Sequence, residues 1–518
     1  MRKKVLAAAF CLAFLAGILF AAEPNTVKPI EQQKEILSYT VTMDEPNTHY
    51  YHIVFRCEGI KEETVEFKMP AWSPGYYRIL NFARNVSKFE AEDGTGKAAA
   101  WEKAGDNSWQ VRKGQSSIVT ISYDVNAKGR GVAESNLDEK KGYISPTSVF
   151  MYISGQMEQP VNVTVKPYKN FKTISTGLDA VEGKENTFRA ANFDTLYDSP
   201  IYVDNQQVTS FEYQGIPYQI AVGGEKEIDM EKVASTLKPM VEAAVGIVGE
   251  APYKHYTFII MGAGMGGLEH QNSMAVFTRI PNLDKPKETG GFLSFMAHEF
   301  FHLYNVKAIR PIALGPFDYD KGSVTDMLWF SEGGTVYYEY LILSRAGFMG
   351  RDEILGTMGR CIEKYESSPG HLVQSVAQSS SETWTQPFFG GKDTISYYDK
   401  GAALAMLLDL KIRHETKNKK SLDDVMKTLY QKYYKGLKRG FTDEEFQRVC
   451  EETAGTTLSE FFEYVTTPKE VDYQKYLGYA GLEMKIPKEK TEKGGYEIKP
   501  IANPDALQSE ILNSWLKV

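Results

Sequence analysis

The stretch Ala297-His298-Glu299-Phe300-Phe301-His302-Leu303 decides how the rest of the chain is read. It carries His-Glu-x-x-His, and neither Pro nor Gly occurs between Phe292 and Arg310, so a helix is predicted there. Residues four apart on a helix share a face, which lets His298 and His302 reach one ion. Glu299 projects from nearly the same side, where a metal-bound water would sit. Neutral nitrogen ligands, an open coordination position and an adjacent base are what zinc-dependent hydrolysis requires. The competing reading is a buried helix that carries two His at this spacing by chance. The whole chain has eight His, and two of them fall here with Glu in the required place.

A catalytic zinc takes three protein ligands and a water. Glu332, in Trp329-Phe-Ser-Glu332-Gly-Gly-Thr-Val-Tyr-Tyr-Glu339, is the candidate third ligand on a second helix predicted over 325–345. Asp326 and Glu339 compete for the position, and Glu339 could instead stand behind a ligand. Gly333 and Gly334 weaken the helix, which is tolerable where two helices approach closely.

Upstream lies Gly262-Ala-Gly264-Met-Gly266-Gly267-Leu-Glu269-His-Gln-Asn-Ser273, following a predicted strand over 255–261. Gly262, Gly264 and Gly267 imitate a dinucleotide fingerprint, but that motif must open a helix, and Leu268 to Phe277 does not read as one. No dinucleotide is expected. The alternative is an exposed sheet edge at Gly266 and Gly267 that a peptide backbone can approach, with Glu269 offering a carboxylate to a substrate amine. Downstream, Ser396-Tyr397-Tyr398-Asp-Lys400-Gly401 opens a further helix, where a phenol could stabilise an oxyanion or merely pack under the helix start.

At 518 residues the chain should form two or three domains. Arg2, Lys3 and Lys4 precede an uncharged apolar run from Val5 to Phe20, so residues 1–22 are predicted to be a signal peptide of an exported, periplasmic or secreted protein. An uncleaved anchor is the competing reading, and membrane attachment is expected only in that case. Removing those three basic residues takes 59 basic against 67 acidic to 56 against 67, a balance of −11, which argues against nucleic acid as a partner. The remaining Cys57, Cys361 and Cys450 are too scattered for a disulfide framework or a thiolate zinc site.

The predicted fold class is α+β and multidomain. Alternation at Tyr51, Ile53 and Phe55, at Val65 and Phe67, and at Val119, Ile121, Tyr123 and Val125 gives an N-terminal antiparallel β domain over 35–205. A catalytic domain follows over 215–345, then a mostly helical part over 346–470 and a short tail or small β element over 471–518. Capping boxes at Ser421/Asp424, Thr442/Glu445 and Thr457/Glu460 mark helix starts in the helical part.

With these motifs in view, the chain resembles the glycyl aminopeptidase family of zinc metallopeptidases, within the thermolysin-like gluzincin group. The resemblance is carried by His298-Glu-Phe-Phe-His-Leu-Tyr-Asn-Val-Lys-Ala-Ile-Arg-Pro311, by Trp329 to Tyr338, by Gly266 to Ser273 and by Tyr397 to Gly401. Met69-Pro-Ala-Trp-Ser-Pro-Gly-Tyr-Tyr77 and Asn81-Phe-Ala-Arg-Asn85 add to it from the β domain. It implies a thermolysin-like catalytic domain with one zinc on His298, His302 and Glu332, and Glu299 as general base. It also implies Glu269 on the free α-amine of a peptide substrate, Tyr398 over Tyr397 as oxyanion donor, and a preference for N-terminal Gly or Ala. Tyr304 stands where the family pattern has Trp, and too few residues follow Leu482 for the PDZ domain of many members. An endopeptidase of the same clan and a non-catalytic exported peptide-binding protein are the alternatives.

Overall fold

In the N-terminal half, apolar side chains at every second position turn one face of each strand inward. Tyr51, Ile53 and Phe55 of the strand Tyr50–Glu58 are buried, as are Val119, Ile121, Tyr123 and Val125 of Ile118–Asn126. Each such side chain contributes about 1.5–3 kcal/mol on leaving water. The computed structural model describes residues 37–224, 226–486 and 495–516, so the expected signal segment over 1–22 lies outside the described residues. Strands between Leu37 and Asp204 form one seven-stranded and two four-stranded sheets. Their pairings are antiparallel except where Leu37–Thr42 runs parallel to Val161–Lys166.

A five-stranded sheet then carries the chemistry-bearing segments. Its strands are β1 (Gln207–Tyr213), β2 (Ile216–Val222), β3 (Tyr256–Ile260), β4 (Gly267–Glu269) and β5 (Ser273–Val276), in the order β1-β2-β3-β5-β4. The sheet therefore begins at Gln207, ahead of the Gly215 read from sequence. Strand β4 lies at the edge, paired antiparallel with β5 on one side. Helix α1 (Met230–Val248) follows β2 and packs with α2 (Pro286–Phe301), the helix of the His-Glu-x-x-His motif.

Helix α2 stops at Phe301, although the sequence permitted it to run to Arg310. Tertiary hydrogen bonds decide its end. Asn305 Nδ2 donates to the Phe330 carbonyl at 2.7 Å, while Ile309 N–H closes on the Tyr304 carbonyl at 2.7 Å. Tyr304 is buried, and its hydroxyl donates to the Glu250 carbonyl at 2.7 Å.

Next comes a wide π turn over Trp329–Gly334, continuing into α3 (Thr335–Arg345). A Cβ on Gly333 would lie 2.5 Å from Gly401 Cα, and one on Gly401 would lie 2.1 Å from the Trp329 carbonyl oxygen. Gly401 belongs to α4 (Tyr397–Glu415), so the glycines allow this turn and α4 to touch backbone to backbone.

The helical part departs from expectation in one place. Helix Ser459–Thr466 has no side-chain cap, so Thr457 and Glu460 do not form the predicted capping box; the Leu458 N–H instead donates to Glu451 at 3.0 Å. The boxes at Ser421 and Thr442 do form. Residues 471–518, expected to be a tail or a small β element, are structured where described. They form a helix (Tyr473–Gly478), a hairpin (Leu482–Lys485 with Glu497–Pro500) and a helix (Ala506–Trp515). Buried Trp515 donates from Nε1 to the Tyr337 hydroxyl at 2.7 Å, and that hydroxyl donates to Asp409 at 2.6 Å. No helix among the described residues is long and apolar enough to cross a membrane.

One buried group works against the fold. Lys400 is 1% exposed, its Nζ has no hydrogen-bond partner among the described residues, and it lies 4.8 Å over the Tyr365 ring. Burial lowers its pKa from the usual 10.5 to about 8, against the opposing field of Glu366. The unfolded chain therefore holds this proton more tightly, and stability gains from Lys400 as pH rises from about 8 to about 10.5. Lys400→Met is expected to stabilise the protein by about 2 kcal/mol at pH 7, with the gain fading towards pH 10.5. Thermal unfolding of both proteins across that range checks this, and identical melting curves throughout would contradict it.

Candidate active site and metal centre

Helix α2 and the π turn bring three donor atoms to one point. His298 Nε2 lies 3.1 Å from His302 Nε2, and Glu332 Oε2 lies 3.5 Å from the first and 3.3 Å from the second. Three ligands of one tetrahedral ion at about 2.0–2.1 Å stand about 3.3 Å from one another, so the triangle has the size zinc requires.

The outer nitrogens settle the tautomers. His298 Nδ1 lies 2.8 Å from Glu339 Oε2, and His302 Nδ1 lies 2.8 Å from the Asn305 carbonyl. Both partners only accept, so each Nδ1 carries the hydrogen, and in the neutral ring each Nε2 turns a lone pair inward. Two lone pairs and a carboxylate oxygen facing one point fit a cation. Burial opposes charge on His298, yet hydrogen bonds to Glu332 and Glu339 raise its pKa. Burial likewise favours a neutral Glu332, but the two imidazoles hold its carboxyl well below the usual range.

The alternatives for the third position separate here. Glu339 stands behind His298 and also accepts from Ser294 Oγ at 2.7 Å. Asp326 is outside the donor cluster, its field acting on Asp443. Among the described residues, His298, His302 and Glu332 form the one group able to hold a metal.

Glu299 is buried on the same helix, and β4 covers it. A Cβ on Gly267 would lie 2.2 Å from Glu299 Oε1, so this strand position admits no side chain while that carboxylate is in place. Burial pushes the Glu299 carboxyl up to about 7, helped by Glu269 and Glu332 and opposed by both imidazoles. Gly266, at φ +89°, lets the chain enter β4 against Val132.

Two residues after Gly267, Glu269 points to the same side of the strand. It is 4% exposed, and its Oε1 has no hydrogen-bond partner among the described residues. Of the two tyrosines, Tyr397 is buried with its hydroxyl 3.1 Å from Thr383 Oγ1. The Tyr398 ring lies 6.3 Å from the His298 ring at 29°. Burial, then the Glu332 carboxylate, keeps the Tyr398 phenol protonated by raising its pKa.

Known proteins resemble the chain in sequence and in fold. Residues 38–204 match the Peptidase M61 N-terminal domain, and residues 291–404 match the M61 glycyl aminopeptidase domain. The chain belongs to the M61 glycyl aminopeptidase family. It is a metallopeptidase of that family. An aminopeptidase N family protein from Idiomarina loihiensis is 27% identical, with a TM-score of 0.81 over 87% of this chain and 79% of that one. The M1 zinc metallopeptidase from Deinococcus radiodurans shares the fold at 10% identity and a TM-score of 0.51, over 84% of this chain and 94% of that one. Aminopeptidase A of Legionella pneumophila does so at 13% identity and a TM-score of 0.53, over 83% of this chain and 49% of its own. No curated protein matches the sequence.

Around the M61 site, two features were not assigned roles from sequence. Asp198 anchors the turn that follows Glu269. It accepts from Lys307 Nζ at 2.8 Å and from Gln271 N–H at 2.8 Å, and lies 3.1 Å from His270 Nδ1. Burial alone would raise its pKa, but Lys307 and then His270 hold it down to about 2. The second feature is Tyr77 of the β domain, whose hydroxyl donates to Glu332 Oε1 at 3.3 Å. Its signal was the Pro74-Gly75-Tyr76-Tyr77 segment, which sequence alone could place in the family but not at the metal site.

Proposed function

We propose that this metallopeptidase is an exported zinc-dependent aminopeptidase that removes N-terminal residues, Gly or Ala foremost, from peptides with a free N-terminus. The observation that carries the reading is the Glu269 carboxylate, buried with an unpartnered oxygen, on the strand whose Gly267 lies over Glu299. A buried carboxylate without a partner is costly, and a substrate ammonium is the cation that would satisfy it. An endopeptidase has no use for such a group at this place.

Zinc held by His298, His302 and Glu332 would polarise the scissile carbonyl and acidify water. Glu299 takes a proton from the attacking water and returns it to the leaving amine, a task suited to a carboxyl near pH 7. The Tyr398 hydroxyl donates to the oxyanion. The open edge of β4 receives the peptide backbone as an added strand, and Glu269 stops it at its first residue. The Gly part of the preference is supported by the family description, glycyl aminopeptidase. Export is supported by Arg2, Lys3 and Lys4 ahead of the apolar run to Phe20.

A panel of aminoacyl reporter substrates, assayed with and without chelator, tests the proposal. Gly and Ala derivatives are expected to be hydrolysed fastest, with activity lost on chelation and restored by zinc. Turnover indifferent to chelation, or a preference for bulky first residues, would contradict it.

A further inference from the structure

Two residues of the segment Gly75–Arg78 of the β domain reach site carboxylates, Gly75 at Glu269 and Tyr77 at Glu332, and the other two hold the 383–388 segment. Gly75 has φ +89°, and a Cβ there would lie 2.6 Å and 2.9 Å from the two carboxylate oxygens of Glu269. The Tyr76 ring meets Phe388 edge-on at 5.9 Å. Tyr77 is 3% exposed and donates to Glu332 Oε1 at 3.3 Å. Arg78 donates to the Thr383 and Gln386 carbonyls and lies 4.1 Å over the Phe388 ring. Thr383 in turn meets the Tyr397 hydroxyl at 3.1 Å, next to Tyr398.

Buried tyrosines elsewhere in the chain place their hydroxyls on carboxylates, as Tyr337 does on Asp409 and Tyr319 on Asp194, or on backbone carbonyls. Tyr123 uses Val149, Tyr197 uses Phe150 and Tyr304 uses Glu250. Tyr77 differs from these in that the other oxygen of its carboxylate partner faces both inward imidazole nitrogens. A phenol on Oε1 fixes the carboxylate plane and leaves Oε2 as the oxygen offered to a cation.

We infer that Tyr77 is a positioning residue for Glu332, and that through the Gly75–Arg78 segment the β domain is part of the metal site. This rests on the zinc reading above. Tyr77 acts on the ligand and makes no contact with substrate. Its loss therefore falls on metal retention and coordination.

The test uses the full chain as wild type and as Tyr77→Phe, which keeps the ring and removes the hydroxyl. Zinc affinity is measured by competition with a chromophoric chelator, the visible spectrum is recorded with Co2+ in place of zinc, and melting of the metal-free forms is compared. Zinc affinity is expected to fall about ten- to a hundredfold, with a shifted cobalt spectrum and little change in melting of the metal-free form. Unchanged affinity and spectrum would overturn the inference. So would a loss of affinity matched by collapse of the metal-free fold, which assigns Tyr77 to packing. A wild type that binds no zinc would overturn the zinc reading itself and the inference with it.

Discussion

Glu299→Gln is expected to lower kcat by about a hundred- to ten-thousandfold while bound zinc is retained. The amide keeps the shape of the carboxylate under Gly267, where a Cβ would come within 2.2 Å of Oε1, so the covering strand stays in place. The donors of the metal triangle are on His298, His302 and Glu332, and Glu299 contributes none of them. What disappears is a group that can take and return a proton. Metal analysis and steady-state kinetics on the same preparation check this. Zinc loss in parallel with activity would make Glu299 a ligand, and undiminished kcat would remove it from the mechanism.

The second large effect belongs to Glu269→Gln. Losing one charge of a buried ion pair costs about 2–4 kcal/mol, some thirty- to a thousandfold in kcat/KM for a peptide with a free amine. For the same peptide with its amine acetylated, there is no ammonium to lose, and the variant should equal or exceed the wild type. Selectivity for the free amine thus shrinks because one rate falls. Comparing both peptides on both proteins checks it, and a uniform fall on the two peptides would mean that Glu269 shapes the strand without reading the amine.

Part of this site was legible from residue patterns alone. His298 and His302 at four-residue spacing share a helix face wherever the helix goes, and glycines followed by Leu268-Glu269 without helical periodicity mark an edge strand. The third donor was harder, for a physical reason. Glu332 and Glu339 are seven residues apart, close to two helical turns, so periodicity turns both towards α2. Only coordinates separate them, with Glu332 Oε2 at 3.3 Å from His302 Nε2 and Glu339 at 2.8 Å from His298 Nδ1. The π turn at Trp329–Gly334 supplies that difference, and its cause is the contact between Gly333 and Gly401, distant in sequence.

Other features depended on partners that sequence does not pair. Helix α2 ends where Asn305 finds the Phe330 carbonyl, not where its own residues disfavour helix. Thr457 fails as a cap because the helix starts at Ser459, beyond it. The C-terminal segment reads as a tail or a small β element, and its docking is decided by the bond of Trp515 to Tyr337. Tyr77 reaches Glu332 from another domain, and no local pattern joins them.

The central claim is that this metal site reads a free N-terminus. It is tested most directly by kcat/KM of the zinc-loaded wild-type chain on one peptide in two forms, free and N-acetylated, cleaved at the first peptide bond. Faster hydrolysis of the free form by about thirtyfold or more is predicted, from the 2–4 kcal/mol of a buried ion pair. Equal rates on the two forms would contradict it.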